Sequence, residues 1–164
     1  MFQSTFLKVL GLFIFGWTIM ANAKLGSKDF FTQLNSQSMH LIEEFYDEKI
    51  VFVDPLGQHS GQASIKEYYT KLYKGAEYVR FEFEDQIKQE NSEVLFWKMT
   101  LKSPNLNGGN EYTVPGNSHF VFSPTTQKCV YHRDYFDMGD FVYERVPILK
   151  SIIRFVKSKL KTNE

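Results

Sequence analysis

The chain has 164 residues, of which 43% are apolar and 23% charged, and its formal net charge is zero. This length suits one domain with one core, and the composition excludes a disordered chain. Because there is no net charge, no Gly-rich phosphate motif and no paired-Cys motif, the sequence does not indicate nucleic-acid or nucleotide binding. Aromatic residues make up 16% of the chain, which predicts a core or a cavity lined with rings.

The first 23 residues differ in character from the rest. MFQSTFLK carries one Lys and no acidic residue, and VLGLFIFGWTIM follows as 12 residues without a charge. Small residues at Ala21 and Ala23 close the segment, so the sequence predicts a signal peptide over 1–23, cleavage after Ala23 and a secreted or periplasmic protein. A retained membrane anchor is the alternative, but the apolar run is shorter than the roughly 20 residues of a membrane span.

The segment after residue 24 predicts helices around a short strand. SKDFFTQL predicts a first helix with Ser27 as its N-cap, and SQSMHLIEEFYDE predicts a second, because apolar residues between 39 and 46 have helical spacing. KIVFVDP predicts a short strand that ends at Pro55, and LGQHSG predicts a loop. QASIKEYYTKLYKG predicts a third helix that ends at Gly75.

Farther along the chain, the period of the apolar residues changes from 3.6 to 2. Four alternating runs predict long strands: YVRFEFEDQI, EVLFWKMTLK, EYTVPGNSHFVF and KCVYHRDYFD. LNGGN and SPTTQ predict the turns between the last three of them. Helices followed by long antiparallel strands predict an α+β fold of one domain.

This order of elements resembles the nuclear transport factor 2 fold. FYDEKIVFVDPLGQHSGQASIKEYYTKLY is similar to ketosteroid isomerases, and HRDYFDMGDF is similar to limonene epoxide hydrolase and to SnoaL-like proteins. The resemblance covers about residues 27 to 160, in a domain over 24–164. It implies a cone-shaped, strongly curved antiparallel β-sheet wrapped around N-terminal helices, an α+β barrel whose mouth accepts a small, mostly apolar ligand.

The stretch VYHRDYFDMGDFVYE predicts the last strand running into a helix. His132, Asp134 and Phe136 share one face of the strand, since side chains alternate along it. The resemblance implies that this face lines the cone. It also implies that the odd-numbered residues from 131 to 135 face outward, where relatives dimerise, and their aromatic and Arg content suits a homodimer interface.

Three ionisable residues are candidate catalytic groups by this resemblance. Asp54 matches the general base of ketosteroid isomerases, although an Asp before Pro also commonly caps a turn. Asp134 matches an acid of limonene epoxide hydrolase, and His132 lies beside it. Tyr69 matches a Tyr in the isomerase hydrogen-bond network, and Ser118 falls near the position of the neutral oxyanion Asp.

Parts of both known reactions are missing. The oxyanion Tyr of the isomerases falls at Phe30, and losing one such donor typically lowers the rate by about 10²- to 10³-fold. The epoxide hydrolase Arg-x-Asp has no counterpart in WKMTL, where Trp97 is predicted to face inward. Ketosteroid isomerisation is therefore not expected. No cofactor and no metal site are predicted, because only His132 among the histidines points inward.

Three kinds of function remain open. The first is an exported domain that binds a small hydrophobic molecule without established catalysis. The second is an isomerase, cyclase or hydrolase that uses Asp54 as a general base with His132 or Asp134. The third is an interaction module that docks a partner in the cone. The residues predicted to bind the ligand are Tyr69, Trp97, Ser118 and Phe136.

The tail VPILKSIIRFVKSKLK returns to helical spacing and has two faces. Lys150, Arg154, Lys157 and Lys161 form a basic stripe opposite apolar residues. The apolar side predicts a helix that packs over the cone mouth or the sheet. Contact with an anionic membrane surface is the alternative.

Overall fold

The computed structural model describes residues 24–160. The predicted signal peptide over 1–23 and its cleavage after Ala23 fall outside the described residues, as do residues 161–164. No helix in the described part of the chain is long and apolar enough to cross a membrane.

Five helices and six strands build the domain over these residues. The helices are α1 (Ser27–Gln33), α2 (Leu41–Phe45), α3 (Gln62–Lys74), α4 (Met138–Phe141) and α5 (Pro147–Leu160). The strands are β1 (Tyr46–Asp54), β2 (Gly57–Ser60), β3 (Tyr78–Gln89), β4 (Ser92–Lys102), β5 (Tyr112–Phe122) and β6 (Cys129–Phe136). Short 3₁₀ turns occur at Asn107–Gly109 and Tyr143–Arg145.

The strands form one curved, unclosed sheet in the order β2-β1-β6-β5-β4-β3. All neighbouring pairs are antiparallel except β1 and β6, which run parallel, with Phe52 opposite His132. The predicted α+β class with a curved sheet and N-terminal helices is confirmed. The sheet departs from the predicted purely antiparallel barrel in that one parallel pair, and β2 and β3 are its free edges.

The predicted boundaries near residue 46 were wrong. The second helix ends at Phe45, and the chain is already extended at Tyr46, because β1 pairs with β6 from that residue onward. The segment Gly57–Ser60, expected to be a loop, is a strand that pairs with β1.

The predicted N-cap of the first helix was also wrong, because Gly26, not Ser27, is the N-cap of α1. Ser27 is buried, and its hydroxyl donates to the carboxylate of Glu93.

Aromatic rings from α1 and α2 fill much of the concave side of the sheet. Phe30 stacks on Phe45 with ring centroids 4.3 Å apart, and Phe31 lies 4.8 Å from the Phe81 ring of β3. Phe120 of β5 packs against Phe45 at 5.7 Å. Aromatic pairs of this kind stabilise a core beyond the area that they bury. The N-terminal helices therefore form part of the core, as the wrapped cone requires.

The expected packing of the C-terminal helix was wrong. No residue of α5 is buried, so its apolar side covers neither the cone mouth nor the sheet. The short helix α4 takes that position instead. Phe141 of α4 is buried against Phe136, and the Tyr112 hydroxyl donates to the Phe141 carbonyl oxygen over 2.9 Å. Because α4 already covers the apolar mouth, no surface is left there for α5.

Candidate functional site

A small cavity lies between α3, the concave face of β4 and β6, and α4. Its volume is about 40 Å³. That space suits one water molecule, whereas ligand pockets usually measure about 300 to 1,000 Å³. The wall is apolar and aromatic except for one carboxylate and two phenols. The residues that line the cavity are Phe31, Tyr68, Tyr69, Leu72, Phe81, Trp97, Met99, Asp134, Phe136 and Phe141.

A wider depression of about 800 Å³ contains none of the predicted site residues. It is open to solvent, and polar and charged side chains form most of its wall, among them His40, Glu43 and Lys128. It also borders Lys24, where the described chain begins. Binding sites for small apolar molecules are concave and ring-lined, so we assign the candidate site to the smaller cavity.

His132 is the centre of a buried hydrogen-bonded chain. The side chain is 0% exposed. Its Nδ1 lies 2.7 Å from the Tyr46 hydroxyl, and its Nε2 lies 2.7 Å from Asp134 Oδ1. A carboxylate only accepts hydrogen bonds, so Nε2–H donates to Asp134 and Nδ1 accepts from Tyr46. Burial raises the pKa of Tyr46 well above its usual value, which keeps this phenol a donor.

Asp134 connects that chain to the cavity. Its Oδ1 accepts from His132 and from the Ser118 hydroxyl, while the Ser118 oxygen accepts from Trp97 Nε1 over 2.8 Å. Among the described residues no hydrogen bond reaches the other carboxylate oxygen, Oδ2, although Asp134 lines the cavity. The chain Tyr46–His132–Asp134–Ser118–Trp97 thus holds one carboxylate at the cavity wall with an acceptor atom free.

Gly116 makes room for the indole in this arrangement. It lies opposite Trp97 in the β4–β5 register. A Cβ at position 116 would be 2.3 Å from Trp97 Cη2, far inside van der Waals contact. Only glycine therefore allows the indole to lie across β5 and reach Ser118. Sequence reasoning missed this role, although a lone Gly within a strand pattern often marks such a close approach.

Tyr69 is a second residue of the cavity wall with a polar group. Its side chain is 5% exposed, and its hydroxyl has no hydrogen-bond partner in the described part of the chain. Burial is the main reason why its pKa lies well above the usual value, and the nearby Tyr46 phenol adds to the shift. The Tyr46 hydroxyl is close enough to act on the pKa of Tyr69 as a hydrogen-bond partner would, but the pair does not meet the distance and angle of a hydrogen bond. We therefore treat the Tyr69 hydroxyl as a free donor.

Asp54 lies away from this cavity, in the turn between β1 and β2. Its side chain is 6% exposed. Oδ1 accepts from the backbone N–H groups of Leu56 and Gly57 over 2.8 and 2.9 Å, and Oδ2 accepts from the Tyr68 hydroxyl. Burial, followed by the bond to Asp54, raises the pKa of Tyr68. The carboxylate thus has the turn-capping geometry that was one of the two expectations for Asp54.

The structure therefore brings some predicted site residues together and separates others. Tyr69, Trp97, Asp134 and Phe136 line the cavity, whereas His132 and Ser118 lie directly behind Asp134. Asp54 reaches the cavity only through Tyr68. Within residues 24–160 no group of three His, Cys, Asp or Glu side chains is placed to hold a metal ion.

Besides the role of Gly116, sequence reasoning missed the contacts of Tyr46 and Phe141. Tyr46 was placed on the apolar face of a helix, which concealed its bond to His132. Phe141 lies in the helix that was predicted to follow the last strand, but its packing over the cavity was not predicted. The alternating pattern of β6 correctly placed His132 and Asp134 on the same face. It contained no information about hydrogen-bond partners from other elements.

The opposite face of β6 is open to solvent in the single chain. Arg133 and Tyr135 are exposed, with the guanidinium 4.9 Å from the Tyr135 ring centroid. Tyr131 is half-buried against His119, with ring centroids 5.9 Å apart. These side chains share one face, as the alternation predicted, and that face has the outward orientation that the resemblance implied.

Several solved structures share this fold. A provisionally named SnoaL-like polyketide cyclase from Shewanella denitrificans OS-217 is 19% identical, with a TM-score of 0.61 over 68% of this chain and 88% of that one. A protein with a ketosteroid isomerase-like fold from Catenulispora acidiphila DSM 44928, in complex with trimethylamine, is 13% identical, with a TM-score of 0.59 over 70% and 84%. TerC, co-crystallised with polyporic acid, is 19% identical, with a TM-score of 0.57 over 65% and 85%.

At sequence identities of 13% to 19%, the similarity to these three structures concerns the fold alone. A search of curated proteins returned no significant match. The sequence profile of the SnoaL-like domain, in contrast, matches residues 28–132, which is more than half of the chain and includes α1 through the buried His132. The chain therefore belongs to the SnoaL-like domain family.

Proposed function

We propose that this chain binds a small, largely apolar ligand in the ring-lined cavity. The observation that carries the proposal is the Tyr69 hydroxyl, which is buried without a partner on a residue that lines the cavity. A buried, unsatisfied polar group costs about 1 to 3 kcal/mol. A ligand oxygen that accepts from Tyr69 would remove that cost, while the surrounding rings would bury the apolar part of the ligand.

The polar residues divide into those that touch the ligand and those that position others. Tyr69 donates to a carbonyl or hydroxyl oxygen, and Asp134 Oδ2 accepts from a ligand hydroxyl. Ser118 and His132 fix the Asp134 carboxylate from behind, and Trp97 both anchors Ser118 and offers its ring to the ligand. A ligand with one polar end and a ring or short hydrocarbon body fits these groups.

Ligand entry requires the cavity to widen, because about 40 Å³ holds little more than a water molecule. The mouth is covered by Phe141 of α4, whose ring lies 5.1 Å from that of Phe136. An outward shift of α4 would enlarge the cavity without disturbing the sheet. Ligand complexes of two proteins with this fold, TerC with polyporic acid and the Catenulispora protein with trimethylamine, support binding within such a domain.

The proposal is tested with Tyr69→Phe, which removes one hydroxyl from a residue of the cavity wall. Tyr73→Phe is the matched control, because Tyr73 lies on the same helix but does not line the cavity. Compounds that co-purify with the wild type are identified by native mass spectrometry and titrated against the three proteins. We expect affinity for an oxygen-bearing ligand to fall about three- to tenfold in Tyr69→Phe, in line with one lost hydrogen bond, and to stay unchanged in Tyr73→Phe. Ligands that bind all three equally would refute the role of this cavity.

A second candidate function is acid–base catalysis by Asp134 with His132, supported by the hydrogen-bonded pair behind a free carboxylate oxygen. A positioned acid or base contributes about 10²- to 10⁴-fold in rate. If Asp134 is the base, Asp134→Asn lowers turnover by about 10²-fold or more while ligand binding persists. If Asp54 is the base, Asp54→Asn has that effect instead. If Asp54 only caps its turn, the change costs about 1 kcal/mol of stability.

Ketosteroid isomerisation is not expected from this site, because Phe30 has no hydroxyl and is packed in the core. Conversion of a 5-ene to a 4-ene 3-ketosteroid is the direct assay. Robust turnover that Asp54→Asn abolishes would contradict this expectation and would assign the base to Asp54.

We further propose that the domain acts after export, as a homodimer through the outer sheet face. Intact-mass measurement of the protein from its native host should show a chain that begins at Lys24. Light scattering should give twice the monomer mass, and Arg133→Glu at the exposed face should reduce it to that of the monomer. A retained segment 1–23 would contradict export with cleavage, and a monomeric wild type would contradict the dimer.

A further inference from the structure

The C-terminal helix α5 has an apolar face that nothing in the described chain covers. Its six large apolar side chains with the greatest exposure are between 40% and 78% exposed: Ile148, Leu149, Ile152, Phe155, Val156 and Leu160. At 3.6 residues per turn they fall within an arc of roughly 140°. Single exposed apolar residues are ordinary, but a continuous exposed stripe marks an interaction surface.

The charges of the same helix all have one sign. Between residues 147 and 160 there are four basic residues, Lys150, Arg154, Lys157 and Lys159, and no acidic residue, which gives 4 − 0 = +4, whereas the whole chain has a net charge of zero. Lys150, Arg154 and Lys157 occupy the arc opposite the apolar stripe. Lys159 lies within the apolar arc near the C-terminal end, with its Nζ 5.3 Å from the Phe155 ring centroid.

We propose that α5 docks on an anionic lipid bilayer and lies in the plane of its interface. An apolar arc opposite a basic arc is the pattern of helices that bury one face among acyl chains while Lys and Arg contact acidic headgroups. The flexible stem of Lys159 lets its ammonium reach the headgroups from the apolar side. At 14 residues the helix is about 21 Å long, too short to cross a hydrocarbon core of about 30 Å.

Charge favours lipid over a second copy of the helix as the occupant of this face. Two α5 helices packed through their apolar stripes would place Lys159 of each helix in the apolar contact, with no carboxylate on either helix to pair with it, and would leave Lys150 and Arg154 on the outer faces without a counter-charge. Within the described residues, the ion pair of Lys157 with Glu144 is the one salt bridge that α5 makes. Acidic headgroups supply the missing counter-charge, and acyl chains cover the apolar stripe.

Vesicle flotation tests the proposal with the full chain. Wild type should bind vesicles of phosphatidylcholine with one quarter phosphatidylglycerol, bind pure phosphatidylcholine much less, and detach as salt is raised. The double change Lys150→Glu/Arg154→Glu should weaken binding at least about tenfold. The matched control Lys71→Glu/Lys74→Glu makes the same charge change on exposed positions of α3 and should leave binding unchanged.

A label that reports its own surroundings separates α5 from any contribution of residues 1–23. An environment-sensitive fluorophore is attached to a cysteine introduced by Ile152→Cys on the apolar face or by Ser158→Cys on the polar face. The native Cys129 is fully buried, and burial raises the pKa of its thiol, so it should not react. We expect a blue shift with anionic vesicles for the label at 152 and little or none for the label at 158.

Three outcomes would overturn the proposal. The first is no shift at position 152 with anionic vesicles, and the second is an equal shift with neutral vesicles. The third is a shift that grows with protein concentration in the absence of vesicles, which would assign the face to a second copy of the chain.

Discussion

The last strand, β6, and the last helix, α5, each have two different faces, but the inner face of β6 is buried or half-buried and the apolar face of α5 is exposed. His132 on the inner face of β6 is 0% exposed, and its two ring nitrogens have partners from β1 and from β6 itself. The apolar stripe of α5 is open to solvent along its whole length. Periodicity therefore specifies which face of a segment is apolar, whereas the surface that covers it is specified by the rest of the chain.

The largest effect that would test this comparison is expected at His132. Removing the imidazole by His132→Ala leaves the buried Tyr46 hydroxyl without its acceptor, leaves Asp134 with the Ser118 hydroxyl alone, and opens a cavity. Breaking a buried charged or polar pair in this way costs about 3 to 5 kcal/mol. Denaturant unfolding measures the loss, and His40→Ala, at an exposed histidine, should cost less than about 0.5 kcal/mol. Equal effects at both histidines would mean that the buried chain adds nothing to stability.

The close approach of Gly116 and Trp97 should give the next largest effect. A methyl group at Gly116→Ala overlaps the indole, so Trp97 must move away from Ser118, at a cost of about 1 to 3 kcal/mol. In a Trp17→Phe background, Trp97 fluorescence reports the movement. Gly75→Ala is the control, since the nearest atom to a Cβ there is 3.6 Å away. An unchanged spectrum and midpoint in Gly116→Ala would contradict the packing described here.

Tyr46 and Tyr69 differ in their hydrogen bonding. The Tyr46 hydroxyl has a partner, whereas the Tyr69 hydroxyl has none in the described part of the chain. Tyr46→Phe removes the donor to His132 and should cost about 1 to 2 kcal/mol. Tyr69→Phe removes a hydroxyl without a partner and should leave the ligand-free protein as stable as the wild type, or up to about 1 kcal/mol more stable. Thermal unfolding of both variants in parallel is the measurement. Similar losses in the two would show that Tyr69 belongs to the chain of hydrogen bonds.

The smallest effect on stability is expected from a substitution in the exposed apolar face of α5. Ile152→Ser removes an exposed side chain and should change the free energy of unfolding by less than about 0.5 kcal/mol. The same change at buried Ile65 of α3 should destabilise the domain strongly, because it places a hydroxyl in the core. Chemical denaturation of the free protein measures both. A large loss in Ile152→Ser would mean that the apolar stripe packs within the molecule.

Much of the fold could be predicted from the sequence because its strands alternate strictly. The period of two placed His132, Asp134 and Phe136 on one face, and the family resemblance implied that this face is the inner one. The boundary at Tyr46 could not be predicted, because Phe45 and Tyr46 are both buried and the helical spacing continues up to them. β2 is too polar to alternate, and only its pairing with β1 defines it as a strand.

The candidate site was less predictable than the fold. The pair of His132 and Asp134 followed from one strand, but Tyr46 reaches it from β1, and Phe141 closes the cavity from a four-residue helix. Asp54 has the sequence position of a base and the local geometry of a turn cap. The volume of the cavity depends on how rings from α1, α3, β4 and α4 fit together, and no single segment encodes that fit.

The position of β6 between β1 and β5 also affects the order in which the molecule can assemble. Without residues 129–136, the β1–β2 hairpin and the β3–β4–β5 meander share no ladder, so the sheet exists in two halves. The strand that joins them is the last to be synthesised, and its pairing with β1 spans some 80 residues, a long-range contact of the kind that slows folding. His132 arrives with that strand, so the buried chain of hydrogen bonds can form only when the two halves close around it.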